Sequence, residues 1–193
     1  EQFFATLIRL YGLVGQLSAQ PASLGAAALD VAKGTLLTLK SQANAFGAQG
    51  ATVKSAIDAA IVPLGQLRSQ LTALSGKTFD VANPMAGIDL SSALPGGLLR
   101  TRLQALQAAV NAASVVPAGF RQAVNAVVAQ LVTACEAIAT LANLVSHGKA
   151  LFDALKALVA NEAPGQSLGE LITQPDLLSP KLLLVSNRLG AVK

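Results

Sequence analysis

Very few residues in this chain are equipped for catalysis, because it contains one cysteine and one histidine. Cys135 and His147 are twelve residues apart in a segment with helical periodicity, which separates them by about 18 Å along a continuous helix. A nucleophile must lie within hydrogen-bonding reach of its base, so this pair predicts no catalytic dyad. Cys135 falls on the apolar side of its segment and is interpreted as a core residue, with intermolecular disulfide bonding as the alternative. His147 is interpreted as a helix-end residue or as a polar group at a pocket mouth.

The acidic residues do not have the spacing of metal ligands. Asp80 and Asp89 share one loop that lacks the alternating oxygen donors of a calcium site. Glu136 and Glu162 lack the Glu-x-x-His partners of di-iron helical bundles. The sequence therefore predicts no metal site, no cofactor and no enzymatic activity.

Two arginines stand at a predicted helix start, in the sequence PGGLLRTR at residues 95–102. Helix N-termini bind anions, but the glycine and lysine pattern of a phosphate-binding loop is missing. A plain joint between loop and helix is one interpretation of this segment. Recognition of the carboxylate or phosphate head of a lipid by Arg100 and Arg102 is the other.

The composition is apolar and weakly charged: 52% of residues are hydrophobic, 12% are charged and the net charge is +4. The basic residues are scattered singly, whereas nucleic-acid binding needs clustered lysine and arginine, so no nucleic-acid partner is predicted. A lone cysteine excludes an internal disulfide framework. The sequence begins EQFFATLIRL without an initiator methionine, and we therefore expect a processed, secreted protein.

Apolar residues that recur every three or four positions predict an all-α protein, a single-domain bundle of five to six amphipathic helices over residues 1–193. The first helix is predicted from Phe3 to Leu17 and ends before Pro21. The second begins at Ser23 and ends at the GAQG sequence of residues 47–50. Its predicted apolar row is Leu24, Ala28, Val31, Leu36, Leu39 and Phe46.

The third and fourth helices have the clearest rows of apolar residues. A kink is predicted in the third helix near Ala59 or Ala60, because Pro63 removes one backbone donor. The predicted row of the third helix is Val53, Ile57, Ile61, Leu64, Leu67, Leu71 and Leu74. The fourth helix, at about residues 98–114, has the row Leu99, Leu103, Leu106 and Val110.

The fifth helix is predicted to begin at Pro117 and contains the 24-residue stretch QAVNAVVAQLVTACEAIATLANLV, residues 122–145, whose one charged residue is Glu136. Polar residues recur on one narrow line of this stretch, which argues against a membrane span and favours a central bundle helix. A break or a bend is predicted at Gly148, followed by helix at residues 149–160 and a short helix near residues 167–173. The predicted apolar row is Val124, Val128, Leu131, Cys135, Ile138, Leu141 or Ala142, and Val145.

A long loop, from Gly76 to Gly97, joins the third and fourth helices and is unusually apolar for its length. It is interpreted either as a lid packed over one end of the bundle or as a flap that contacts an apolar molecule.

The predicted function is extracellular, non-enzymatic binding of an apolar small molecule, such as a lipid, fatty acid or pigment, within the bundle or under this loop. The alternative is a surface-active or self-assembling structural protein, with a homo-oligomer or a hydrophobic surface as partner. In general type the chain resembles secreted helical lipid carriers and hydrophobic-surface-binding helical proteins, a likeness that rests on no residue motif. The predicted ligand-binding residues are Phe79, Met85, Ile88, Leu94, Arg100, Arg102, Leu131, Ile138, His147 and Phe152.

Overall fold

A computed structural model describes the backbone of residues 2–76 and 85–162, and the side chains of residues 21–76, 85–147 and 149–150. Within these ranges the protein is all-α, as predicted, and no described residue lies in a strand. Two short 3-10 helices, Asn44–Phe46 and Ser91–Ala93, lie in the connections. The α-helices are α1 (Gln2–Ala43), α2 (Gly47–Ser75), α3 (Leu98–Ala112) and α4 (Ala118–Glu162).

The chain divides into two compact units. One comprises residues 18–77 and 85–143, includes parts of all four helices and is called the four-helix unit below. The other comprises residues 1–17, 78–84 and 144–193, and its described residues belong to the start of α1 and the end of α4. The single-domain organisation stays a prediction.

The core of the four-helix unit consists of aliphatic rows on the helices. The rows predicted for α3 and α4 are buried, as is the row predicted for α2 except for the half-buried Ile61. Removing this much aliphatic surface from water, at about 25 cal/mol per Å², is the main force that holds the helices together. The largest side chains with less than 2% exposure are Leu29, Leu36, Ile57, Leu64, Leu67, Leu71, Leu99, Leu103, Leu106 and Leu131.

The apolar row predicted for α1 is wrong over its first half. Leu24 is 73% exposed and Val31 is 71% exposed, and Ala28 is exposed as well. The structure instead buries a row of alanines and leucines. Beside this row α1 comes close to α2, since a Cβ added to Gly25 would lie 3.2 Å from Leu71 Cδ1. The buried row of α1 is Ala22, Ala26, Leu29, Ala32, Leu36, Leu39 and Ala43.

Two predicted helix ends are also wrong. Pro21 lies inside α1, which is continuous from Gln2 to Ala43, and Gly148 lies inside α4, which continues to Glu162. A proline removes one helical hydrogen bond and a glycine costs about 1 kcal/mol relative to alanine, but the flanking alanines and leucines favour helix on both sides. The kink at Pro63 stays a prediction, although that proline is inside α2. The helix predicted near residues 167–173 lies outside the described residues.

Helix α1 runs antiparallel to α2, as two ion pairs between them show. Arg68 donates to both carboxylate oxygens of Asp30, from Nε at 3.1 and 3.0 Å, and Lys40 Nζ lies 2.5 Å from Asp58 Oδ1. From the first pair to the second, the residue number rises by ten on α1 and falls by ten on α2. Both pairs are partly exposed, so each contributes about 1 kcal/mol or less.

The connection between α1 and α2 is short and sits against the start of α4. Gly47, with φ of 58°, reverses the chain directly after the 3-10 helix, so α2 begins six residues earlier than its predicted row. The rings of Phe46 and Phe120 meet edge to face with centroids 5.1 Å apart. Gln49 accepts the Val115 N–H through Oε1 at 3.0 Å and donates to Ser114 Oγ at 3.3 Å. These contacts hold the α3–α4 connection at the same end of the unit.

The described part of the long loop, residues 85–97, packs on the four-helix unit. Leu90 and Ala93 are buried, and the Asp89 N–H donates to Gln70 Oε1 at 3.1 Å. Gly97 allows the close return of the chain, because a Cβ there would overlap the carbonyl oxygen of Ser91. For this half of the loop, the packed-lid interpretation agrees with the structure.

The burial of α1 can be tested by truncating one residue on each of its sides. We expect Leu29→Ala, which removes a fully buried side chain, to lower the free energy of unfolding by about 2–5 kcal/mol. The exposed Leu24→Ala is the matched control and should change it by no more than about 0.5 kcal/mol. Denaturant unfolding followed by circular dichroism measures both. Equal losses would contradict the buried row described above.

A second test compares two glycines within α2. A Cβ added to Gly50 would overlap the Ala43 carbonyl oxygen, whereas one added to Gly65 would meet nothing within 4 Å. Gly50→Ala should therefore destabilise the protein by about 1–3 kcal/mol through overpacking. Gly65→Ala should stabilise it by about 0.5–1 kcal/mol, because alanine favours helix. Thermal unfolding gives the sign of each change, and a stabilising Gly50→Ala would show that the α1–α2 junction is looser than described.

Candidate functional site

An open groove runs along the outside of the four-helix unit between α2 and α3. The leucines of both helices point to the core, and the neighbouring outer positions are mostly alanine, so the two helices leave a shallow channel between them. Its volume is ≈ 520 Å³, within the range of about 300–1,000 Å³ that is typical of ligand pockets. The residues that line this α2–α3 groove are Ala51, Thr52, Ser55, Ala56, Ala59, Arg102, Ala105 and Ala109.

Arg102 is the one charged residue among those that line the groove. It is exposed, and it forms no ion pair with any residue that the structure describes. Thr52 and Ser55 add hydroxyl groups to the lining; Thr52 Oγ1 donates to the Ala48 carbonyl within its own helix at 3.3 Å. The groove thus combines an apolar floor with a single free guanidinium group, which favours an apolar molecule with one anionic group.

The second arginine of the PGGLLRTR segment has a structural contact. Arg100 is half-buried, and its Nε donates to the Ala93 carbonyl at 2.8 Å. It therefore ties the 3-10 helix to the start of α3, in agreement with the joint interpretation. Because two residues span about 200° of a helix, Arg100 and Arg102 project in different directions.

The other predicted binding residues do not gather around this groove. Leu131 and Ile138 are core residues of α4, at 1% and 3% exposure. Met85, Ile88 and Leu94 are half-buried in the loop. Phe79 and the side chain of Phe152 lie outside what the structure describes, and binding roles for all of these residues stay predictions.

His147 is exposed and lies within α4, fifteen residues before the helix ends. The helix-end interpretation of this histidine is therefore wrong, and the reason is that Gly148 does not interrupt the helix.

Sequence reasoning missed the alanines of the groove, although they carry a signal. Ala105 and Ala109 on α3, like Ala51, Ala56 and Ala59 on α2, repeat at helical spacing beside the leucine rows. Small residues beside a buried row indicate a shallow place on the helix surface, but only the pairing of α2 with α3 brings the two sets together.

The thiol of Cys135 is closed off from solvent. The residue is fully buried, which confirms its interpretation as a core residue. Burial raises the pKa of the Cys135 thiol; Arg100 opposes this shift through its positive charge, and Glu136 adds to it. Among the described residues no group of three or more His, Cys, Asp or Glu side chains could hold a metal ion.

Two helical stretches are long and apolar enough to cross a membrane by length and composition: Pro21–Ser75 and Ala118–His147, with hydropathies of 1.2 and 1.6. Core helices of soluble proteins pass the same test, and both stretches contain buried rows described above. The expectation that the chain does not span a membrane stays a prediction.

No family model matches this chain, and no curated protein or solved structure matches it either. The groove and its chemistry therefore carry the functional argument alone.

The burial of Cys135 predicts an unreactive thiol. Its reaction with a disulfide reagent at pH 8 should be at least about a hundredfold slower in the native protein than in the chain unfolded in guanidinium, because attack must await opening of the core. Absorbance of the released thiolate gives both rates. A native rate close to the unfolded rate would contradict the burial of Cys135.

Proposed function

We propose that this protein is a non-enzymatic, extracellular helical protein that binds apolar small molecules, and that the α2–α3 groove is where they bind. The observation that carries the proposal is the combination of an alanine-lined channel of ≈ 520 Å³ with one arginine that forms no ion pair with a described residue. The proposed organisation is a single domain in which the chain beyond α4 adds a short helix near residues 167–173.

The size and lining of the groove favour a linear alkyl chain. Alanine side chains leave room for a slender ligand on the surface of both helices without displacing a leucine of the core. Each methylene group that leaves water contributes about 0.8 kcal/mol when fully buried, and less in an open channel. A chain of ten or more carbons therefore gains enough to bind without any specific polar contact.

The free guanidinium group favours an anionic head. Arg102 presents several N–H donors to a carboxylate or phosphate, and charge-assisted hydrogen bonds of this kind are stronger than neutral ones. Fatty acids and lipids with one exposed anionic group fit this requirement. An uncharged pigment would use the apolar floor alone.

From the sequence, we expect a ligand within the bundle. The close packing of the core favours binding on the outside of the four-helix unit instead. The largest core side chains are almost fully buried against one another, and protein interiors of this kind are close-packed. Making room for a ligand between the helices would separate those leucines.

The second candidate function is a surface-active or self-assembling structural protein. The observation that favours it is the exposure of large aliphatic side chains, including Leu24 at 73%, Val31 at 71% and Val62 at 61%. Only two ion pairs link described residues, so spreading of the helices on an apolar surface would desolvate few charges.

Blocking the groove with a large side chain tests the first candidate. Ala105→Trp places an indole in the groove, while Ala108→Trp puts the same group on an exposed position of α3 outside the groove. Displacement of a fluorescent fatty acid should be weakened at least about tenfold by the first change and left unchanged by the second. Equal affinities in the two variants would place the ligand elsewhere.

Two ligands with the same alkyl chain, a fatty acid and the matching fatty alcohol, test the role of Arg102. Arg102→Gln should weaken binding of a fatty acid about tenfold, which corresponds to about 1.4 kcal/mol, and leave the matching fatty alcohol unaffected. Absence of any binding, together with a marked fall in surface tension at low protein concentration, would favour the surface-active function instead.

A further inference from the structure

The proposed function does not involve the outward side of α4 in the four-helix unit. Six exposed residues at spacings of four, three, four, three and four form a ridge there, and this α4 ridge consists of Gln122, Ala126, Ala129, Thr133, Glu136 and Thr140. Four of its six residues are alanine or threonine, so the ridge has few long side chains. Glu136 is its one charge, and it forms no ion pair with a described residue.

The α2–α3 groove has the opposite properties. The groove is a channel, whereas the ridge is raised. Most side chains that line the groove are small, and its one charged residue is the cation Arg102. Small residues on both surfaces let two helix backbones approach closely, as helices do when their contact positions are small. The charges are complementary, and neither is neutralised by another described residue.

A ridge cannot reach the groove of its own chain. Helix α4 contacts α1, since a Cβ at Gly25 would lie 3.9 Å from Ile138, and it contacts α3, where Asn125 Nδ2 donates to Asn111 Oδ1 at 3.1 Å. The ridge residues are nevertheless exposed. The groove lies between α2 and α3, and no residue of α4 is among those that line it.

We propose that the α4 ridge of one copy of this protein docks in the α2–α3 groove of a second copy, with Glu136 of one copy paired to Arg102 of the other. The contact joins two different surfaces, so a pair of copies keeps one free ridge and one free groove, to which further copies can add until the rotation closes a ring. A single helix in a groove buries less than a typical stable interface of about 1,200–2,000 Å². The assembly is therefore weak and depends on concentration.

This inference goes beyond ligand binding and does not depend on it. A ligand in the groove and a ridge from another copy would compete for the same space, so the association is measured in protein freed of lipid. Ligand binding can fail while association succeeds, and the reverse holds as well.

Charge reversal tests the pairing directly, by sedimentation velocity over a range of concentrations at low ionic strength. Arg102→Glu and Glu136→Arg, each alone, should lower the association constant at least about tenfold, because each places like charges together. An equimolar mixture of the two variants should associate as the unmodified protein does, since every ridge then finds a groove of opposite charge. Lys33→Glu, which changes the net charge as Arg102→Glu does but lies on α1, is the matched control and should have no effect.

Each outcome decides the proposal. All the substituted residues are on the surface, and circular dichroism confirms that the helices are retained. A monomer at the highest concentration reached, single variants that associate normally, or a mixture that does not recover would each overturn the inferred interface. Weakened association of each single variant, together with normal association of their mixture, supports the interface.

Discussion

The structure depends on one constraint: with 12% charged residues, the helices must hide their aliphatic rows against each other. Leucines of α2 and α3 are the clearest case, because five of them have 0% exposure: Leu64, Leu71, Leu99, Leu103 and Leu106. The ion pairs between α1 and α2 are half-exposed and add little. Burial of apolar surface therefore drives folding, and the ion pairs agree with the antiparallel alignment of α1 and α2.

The same constraint shapes the surface. Most described leucines of α2, α3 and α4 are buried, and many outer positions of these helices are filled by alanine and by polar residues. Where α2 and α3 meet, this leaves a shallow groove. Because few residues of the chain are charged, each single charge on this surface is prominent. Arg102 and Glu136 stand out for this reason, and the functional proposals concern the outside of the unit, where the residues that the sequence assigned to a ligand are mostly absent.

Much of the fold could be predicted from the sequence, because the rows of α2, α3 and α4 contain large aliphatic residues on one side only. Helix α1 differs. It has two candidate rows, one with Leu24 and Val31 and one with several alanines, and hydrophobicity alone favours the first. The structure buries the second, and Gly25 beside it lets α1 come close to Leu71. The helix ends at Pro21 and Gly148 were wrong because a local penalty does not stop a helix whose flanks favour it.

The sequence by itself determined the all-α class, the inward rows of three helices, the burial of Cys135 and the presence of two arginines at the start of α3. Those features follow from local periodicity and from the chemistry of single residues. Only the tertiary structure decided which side of α1 is buried, that Arg100 binds a carbonyl while Arg102 stays free, and that alanines of α2 and α3 form one groove. These depend on which helices become neighbours, and a pattern within one helix contains no information about its neighbour.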